Sequence, residues 1–352
     1  MQTIAQTYVA PTTVAPTTFT STVAITGSDE KAIGIAALMA VSGQAVALHT
    51  GNVSLPSICE VFRRGATTPQ LHGAINFNSV TSDISVALRG ASILLITGTA
   101  ADAVAFLRSA APHLRAGQTL VFVDPPIGMA LEATHLLRKL KVTAPLTIVE
   151  TGPLVDEIAV AGRSVLLRGT VDRVCIAGRT LNETRTALST VGQVIPQVVP
   201  ASNIMERAFT HAGKFVRAAH RLLVVLGSGD EPKRIHEILT PASQALLNNL
   251  ELEIHAIARA YGRHATATDC TKDNFCESVS ELRERLAEEI NDNFLVLSGL
   301  AQVARLPIPI IDSLIDLTSA VTGSDLRKQG RDLSRLGLVG MDVAEIIEQV
   351  NA

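Results

Sequence analysis

The sequence predicts a doubly wound α/β domain followed by an all-α domain, and three observations predict it. From residue 23 onward, short β-branched apolar runs alternate with segments of helical periodicity, the pattern of parallel strands joined by crossover helices. Several of these runs are continuously apolar, as strands covered on both faces must be. Past about residue 185 the strand-like runs stop and only helical spacing persists. The expected organisation is an N-terminal arm over 1–22, a sheet domain over 23–185 and a helical domain over 186–352.

The elements follow in order. Residues 1–22, MQTIAQTYVAPTTVAPTTFTST, repeat APTT and carry no charged side chain. They lack the basic region and continuous apolar core of a secretory signal, and a flexible arm is expected. Val23 to Thr26 is a short strand that Gly27 breaks; Ile33, Ala37 and Val41 then recur at helical spacing until Gly43, and AVALHT starts a second strand. TSDISVALRGASILLITG reads as a short helix and the strand Ala91 to Ile96. An amphipathic helix closed by Gly117, the strand QTLVFVD, the turn and helix PPIGMALEATHLLRKL and the strand APLTIVETG complete the rhythm. SVLLRG and RVCIAG read as a hairpin pair that finishes the domain near residue 180. In the helical part Thr240 is an N-cap with Pro241 in the first turn, and Leu246, Leu250, Ile254, Ile257 and Tyr261 form one apolar face. Further helices are expected over 277–290, 294–304, 309–321 and 342–350.

Composition narrows the function. Of 352 residues, 47% are apolar and 18% charged, with 30 basic against 33 acidic side chains and a net charge of −3. No basic stretch suits nucleic acid or an anionic membrane, and no uncharged apolar run has the length of a membrane span. Cys59, Cys175, Cys270 and Cys276 follow no metal-ligand spacing, so no metal is expected, and reduced thiols point to the cytoplasm.

The stretch from 23 to 50 has the skeleton of a dinucleotide-binding crossover, which makes the sheet domain Rossmann-like. In the glycine fingerprint, G-x-G-x-x-G, the first glycine makes the turn, the second admits the pyrophosphate and the third packs helix on strand. Those places hold Gly27, Asp29 and Ala32, with Ser28 inside the turn. Alanine is tolerated at the third place, whereas Asp29 sets a carboxylate where a phosphate should be received. The second strand ends in His49 and Thr50 where NAD-binding chains carry an acidic residue for the ribose. These residues leave NADP, an unusual NAD pose, or no nucleotide.

Longer stretches resemble the octopine (opine) dehydrogenase family. They are LRGASILLITGTAADAVAFLRSAAPHLRAGQTLVFVDPPIGMALE and LTIVETGPL in the sheet domain, LTPASQALLNNLELE in the helical domain, and LPIPIIDSLIDLTSAVTGSDLRKQGRDLSRLGLVGM near the end. The last, with its G-R-x-L-x-x-L-G-L pattern, is the most specific. The resemblance implies a nicotinamide-binding domain followed by a helical domain, and reductive condensation of an amino acid with a 2-keto acid. Such chemistry requires a general acid/base at the carbonyl oxygen and cations for the substrate carboxylates.

The family's histidine motif corresponds to NIMERAFTHAGKFVRAAH, residues 203–220. An ungapped match puts Arg217 at the histidine place and His211 at the asparagine place, and a three-residue shift brings in His220. Arginine cannot cycle a proton near neutrality, so the resemblance leaves His211 and His220 as acid/base candidates and Arg217, with Lys214, as carboxylate binders. The partner carboxylate falls in EEINDNFLVLSGL, on Glu289 or Asp292, the latter alternatively a helix cap. Thr97-Gly98 stands where the family has a proline, and Asp156 and Ala159 where it has a tyrosine and an arginine. Scaffold positions match while cleft positions differ. Two readings follow: an NAD(P)-dependent oxidoreductase with an altered site acting on a small amino or keto acid, or a non-redox enzyme (lyase, hydrolase or cyclase) or pseudoenzyme on the same fold. A homodimer through the helical domain is a further expectation.

Overall fold

The computed structural model describes residues 22–27, 30–51, 58–64, 69–169, 171–210, 213–227, 240–266 and 278–351. They fall into two compact units, Met1–Ser92 with Val155–Thr170, and Ile93–Leu154 with Val171–Ala352. The expected arm therefore lies outside the described residues, apart from Thr22.

In the first unit, β1 (Thr22–Thr26) leads through α1 (Glu30–Val41) to β2 (Ala45–His49), which pairs in parallel with β1 and with the short β5 (Ser79–Thr81). A second sheet of four strands has the order β4-β3-β10-β9, formed by β3 (Ile58–Arg64), β4 (Pro69–Asn76), β9 (Glu157–Ala161) and β10 (Ser164–Arg168). Helix α1 packs against strands of both sheets, which explains its sequence. Ala32, Ile33, Gly34, Ile35, Ala36, Ala37 and Met39 are all buried, and a helix apolar on every face is one covered on every face.

The expected hairpin of SVLLRG with RVCIAG is corrected here. Strand β10 makes its hairpin with β9, around Gly162, and also pairs in parallel with β3. RVCIAG forms a strand of the other sheet. The exposure of β9 alternates, but its residues, EIAVA, are apolar on both faces after Glu157 and so lack the polar and apolar alternation that announces such a strand.

In the second unit, β6 (Ala91–Ile96), which carries the unit boundary at its second residue, pairs in parallel with β7 (Thr119–Val123), and β7 with β8 (Thr147–Thr151). Strand β11 (Val174–Gly178) runs antiparallel to β8 and parallel to β12 (Val198–Pro200). Every residue of β7 is buried, as its uninterrupted apolar run requires. The short α2 (Ile84–Ala87) precedes β6 in the first unit, and helices α3 (Ala100–Ala110), α4 (Met129–Lys139) and α5 (Leu181–Val191) alternate with these strands. The fold class is the expected one, a mainly parallel α/β sheet followed by helices.

The helical part comprises α6 (Ile204–Thr210), α7 (Gly213–Gly227), α8 (Pro241–Ala260), α9 (Val279–Glu289), α10 (Leu295–Val303), α11 (Pro309–Thr322), α12 (Leu326–Gln329) and α13 (Val343–Asn351). Thr240 caps α8 as expected, in a reciprocal capping box with Ser243. Helix α7 lies antiparallel on α9 and its continuation: Val224 and Val225 meet Leu282, Arg221 pairs with Glu289, and Phe215 stacks edge-on against Phe294 at 6.3 Å. Among the described residues no helix is long and apolar enough to cross a membrane.

Candidate functional site

The chain leaves β1 at Gly27, the first place of the glycine fingerprint. Gly27 leaves β1 at φ 145°, a conformation that side chains disfavour, and its amide donates to the carbonyl of His49 at 3.2 Å. Ala32 is fully buried, as the third fingerprint place demands. Ser28 and Asp29 lie outside the described residues. At the end of β2, His49 Nδ1 and Thr26 Oγ1 are 3.1 Å apart, and the buried Thr50 donates its amide to Thr81. Burial lowers the His49 pKa, against weaker opposing contributions from Ser82 and Asp83, which favours the uncharged ring.

In the second unit the carboxyl ends of β6, β7 and β8 are tied to the helical part by buried charge. Glu150, the penultimate residue of β8, accepts the Ala130 amide at 2.8 Å in the first turn of α4 and forms an ion pair with Arg207 of α6. Both side chains have 0% exposure, so neither charge is shared with water. Arg207 also donates to the carbonyl of Pro125 at 3.4 Å. A carboxylate at a helix N-terminus is favoured by the helix dipole as well as by the amide it receives.

Between α9 and α10 the helix widens into one π-helical turn, Ile290–Phe294, a distortion often found at functional sites. Two consecutive side chains of this turn reach the sheet edge. Asp292 Oδ2 accepts the Ala100 amide at 3.0 Å, the first residue of α3, and Asn293 Oδ1 accepts the Ile127 amide at 3.1 Å, just before α4. Arg331 donates to the carbonyls of Asp292 at 2.9 Å and Ile127 at 2.7 Å, and pairs with Glu132 at 2.5 Å. Gly330 precedes it because the same π turn and α10 lie close: a Cβ there would overlap Leu295 and stand 3.0 Å from Asn291 Oδ1. The G-R step of the C-terminal motif is thus a packing requirement and a charge requirement in succession.

Burial raises the Asp292 pKa, opposed by the Ala100 amide, Arg331 and Asn291 and reinforced by Glu132. A folded pKa above the unfolded one gives stability that is complete below the unfolded value of 3.8 and declines as pH rises through the folded value. Asp292→Asn keeps an oxygen acceptor for Ala100 and removes this titration. Its urea midpoint relative to wild type is expected to improve from about pH 4 to about pH 7. A pH-independent difference between the two proteins would count against it.

The candidate residues therefore divide. Asp292 is a helix cap, but of α3, 192 positions away in sequence, and not of its own helix. Glu289 pairs with Arg221, a residue the sequence did not single out. His220 is 3% exposed on α7, one residue before Arg221, and Arg217 is partly buried one turn earlier. His211 and the side chain of Lys214 lie outside the described residues. Thr97 is buried at the end of β6, before Gly98 and the Thr99–Asp102 capping box that starts α3. Among the described residues no group of His, Cys, Asp or Glu is arranged to hold a metal, and the Cys175 thiol is raised in pKa by burial. Glu150, Arg207, Asn293 and Arg331 were not read as site-forming, although the E-T and G-R pairs containing two of them stood in the matching stretches.

No family model matches the chain. An opine dehydrogenase of Arthrobacter sp. (strain 1C) is 25% identical over 361 aligned residues, spanning 93% of this chain and 98% of that protein. Octopine dehydrogenase in complex with NADH and L-arginine superposes with a TM-score of 0.70 at 17% identity, covering 93% of this chain and 98% of its own. NADP+-bound yersinopine dehydrogenase superposes at 0.67 and 12% identity, covering 94% and 98%. The chain is thus similar in sequence to an opine dehydrogenase, and its fold, a mainly parallel sheet followed by helices, is that of the octopine dehydrogenase structure.

Proposed function

We propose that this chain is a nicotinamide-dependent oxidoreductase of the opine dehydrogenase type, acting in the cytoplasm on an amino acid and a 2-keto acid or a compound derived from them. The observation that carries the reading is the turn at Gly27, which opens a β–turn–α–β crossover with buried Ala32 in a chain similar to an opine dehydrogenase throughout. These residues fit the cofactor. The Gly27 backbone is bare enough to approach a pyrophosphate, and Thr26 at the end of β1 with His49 and Thr50 at the end of β2 offer polar groups beside it. Because His49 and Thr50 stand where NAD-binding chains carry an acidic residue for the ribose, NADP(H) is favoured over NAD(H). A bound nicotinamide supplies or accepts the hydride. Thermal-shift titrations test this: NADPH at about a hundred times its Kd stabilises by about 2.7 kcal/mol, and NADH by less. No shift with either nucleotide would end the reading.

The protein's own residues handle the proton and the carboxylates. His220, or His211 before α7, is assigned the acid/base role, and Arg217 with Lys214 binds a substrate carboxylate through charge-assisted pairs. Histidine-to-alanine replacement at the acting position lowers turnover by about 100-fold or more. A homodimer through the helical domain belongs to the same proposal. One observation favours the second reading, a non-redox enzyme or pseudoenzyme: Arg221 holds Glu289 and the start of α3 engages Asp292, so both expected histidine partners have other duties. Absence of nicotinamide-dependent turnover in the wild type, with any other activity surviving replacement of both histidines, would select it.

A further inference from the structure

Strand β7 and the loop into α4 form one deeply buried stretch. From Gln118 to Ala133 every residue is buried except Asp124, which is partly exposed. It sits immediately past the carboxyl end of β7, between β6 and β8, and its amide donates to the carbonyl of Thr151 at 2.9 Å. Carboxyl ends of parallel strands are where ligands bind in open α/β sheets.

The backbone there is unusual on two counts. Asp124 has φ 47°, in the left-handed region, and it precedes Pro125, which steers its predecessor toward extended conformations. Strain of this kind persists only where the surroundings over-determine it, and it gathers at ligand sites. The surroundings are on view: Arg207 binds the Pro125 carbonyl, Asn293 takes the Ile127 amide, and Arg331 takes the Ile127 carbonyl. Two buried arginines and an asparagine thus fix the loop on the carboxyl side of Asp124, and the Thr151 carbonyl holds its own amide.

We infer that Asp124 is a substrate-binding residue that recognises the ammonium group of the amino-acid substrate, an inference that rests on the function proposed above. A carboxylate carried on a fixed backbone suits a primary ammonium through charge-assisted hydrogen bonds, and it leaves the carboxylates of both substrates to the cations. The competing explanation is that aspartate merely tolerates the left-handed turn.

Asp124→Gly and Asp124→Asn separate the two, because both residues accept positive φ. Steady-state assays use NADPH or NADH, the proteinogenic L-amino acids, and pyruvate or 2-oxoglutarate. The expected result is that both variants keep or exceed the wild-type Tm while KM for the amine rises about tenfold or more. KM for the keto acid and the nucleotide-induced thermal shift stay unchanged. An unaltered amine KM in both variants, with wild type active, overturns the inference and spares the proposed function. A lowered Tm with all kinetic parameters weakened alike overturns it in favour of the structural role. If wild type shows neither turnover nor a nucleotide shift, the proposed function falls and the inference falls with it.

Discussion

Replacement of Arg207 by alanine is expected to destabilise the protein by about 3–5 kcal/mol, because it strands the Glu150 carboxylate in a site without water. Glu150 keeps the Ala130 amide, which offsets only part of that cost. The loss of the Pro125 contact adds to it. The cause is testable by the pair. Glu150→Gln combined with Arg207→Met retains an acceptor for Ala130 and removes both charges, so it should lie much closer to wild type than Arg207→Ala alone. Urea denaturation followed by far-UV circular dichroism gives the comparison. A double variant as unstable as the single one would show that packing, and not stranded charge, sets the cost.

Arg331→Ala is expected to cost a similar amount, about 3–5 kcal/mol, for a related reason: Glu132 loses its counter-ion and the Asp292 and Ile127 carbonyls lose their donor. Arg331→Lys separates charge from geometry. Lysine restores a positive charge but not the planar fork that serves a carboxylate and two carbonyls at once, so it should recover only part of the loss. Full recovery with lysine would mean that the charge alone matters. Hydrogen exchange should then localise the damage, with the amides of Ala100 and Ile127 losing protection first in Arg331→Ala, because the π turn that accepts them is held through Arg331.

Much of this architecture was legible in the residues. The buried strands β6 and β7 are almost wholly apolar runs, and α8 declares its own start through Thr240-Pro241. The four-stranded sheet was not legible. Its ladder joins Glu60 to Ser164, and no local pattern reports a partner so distant. The same limit applies to the site. Asp292 carried the right residue type for a cap or a histidine partner, but the choice lay with Ala100, which only the folded chain brings near.

By itself the sequence determined the periodicities, the alternation of the buried parallel strands with their helices, the glycine after β1 and the likeness to the opine dehydrogenases, since each is written in neighbouring residues. Tertiary structure decided where buried charges end: Glu150 with Arg207, Glu132 with Arg331, Glu289 with Arg221. The physical reason is desolvation. A charge removed from water must find a partner, and the partner is whichever group the packing delivers, at any separation along the chain. The same packing placed Asp124 at the surface end of a buried strand and held it there in a conformation that its own neighbours in sequence disfavour.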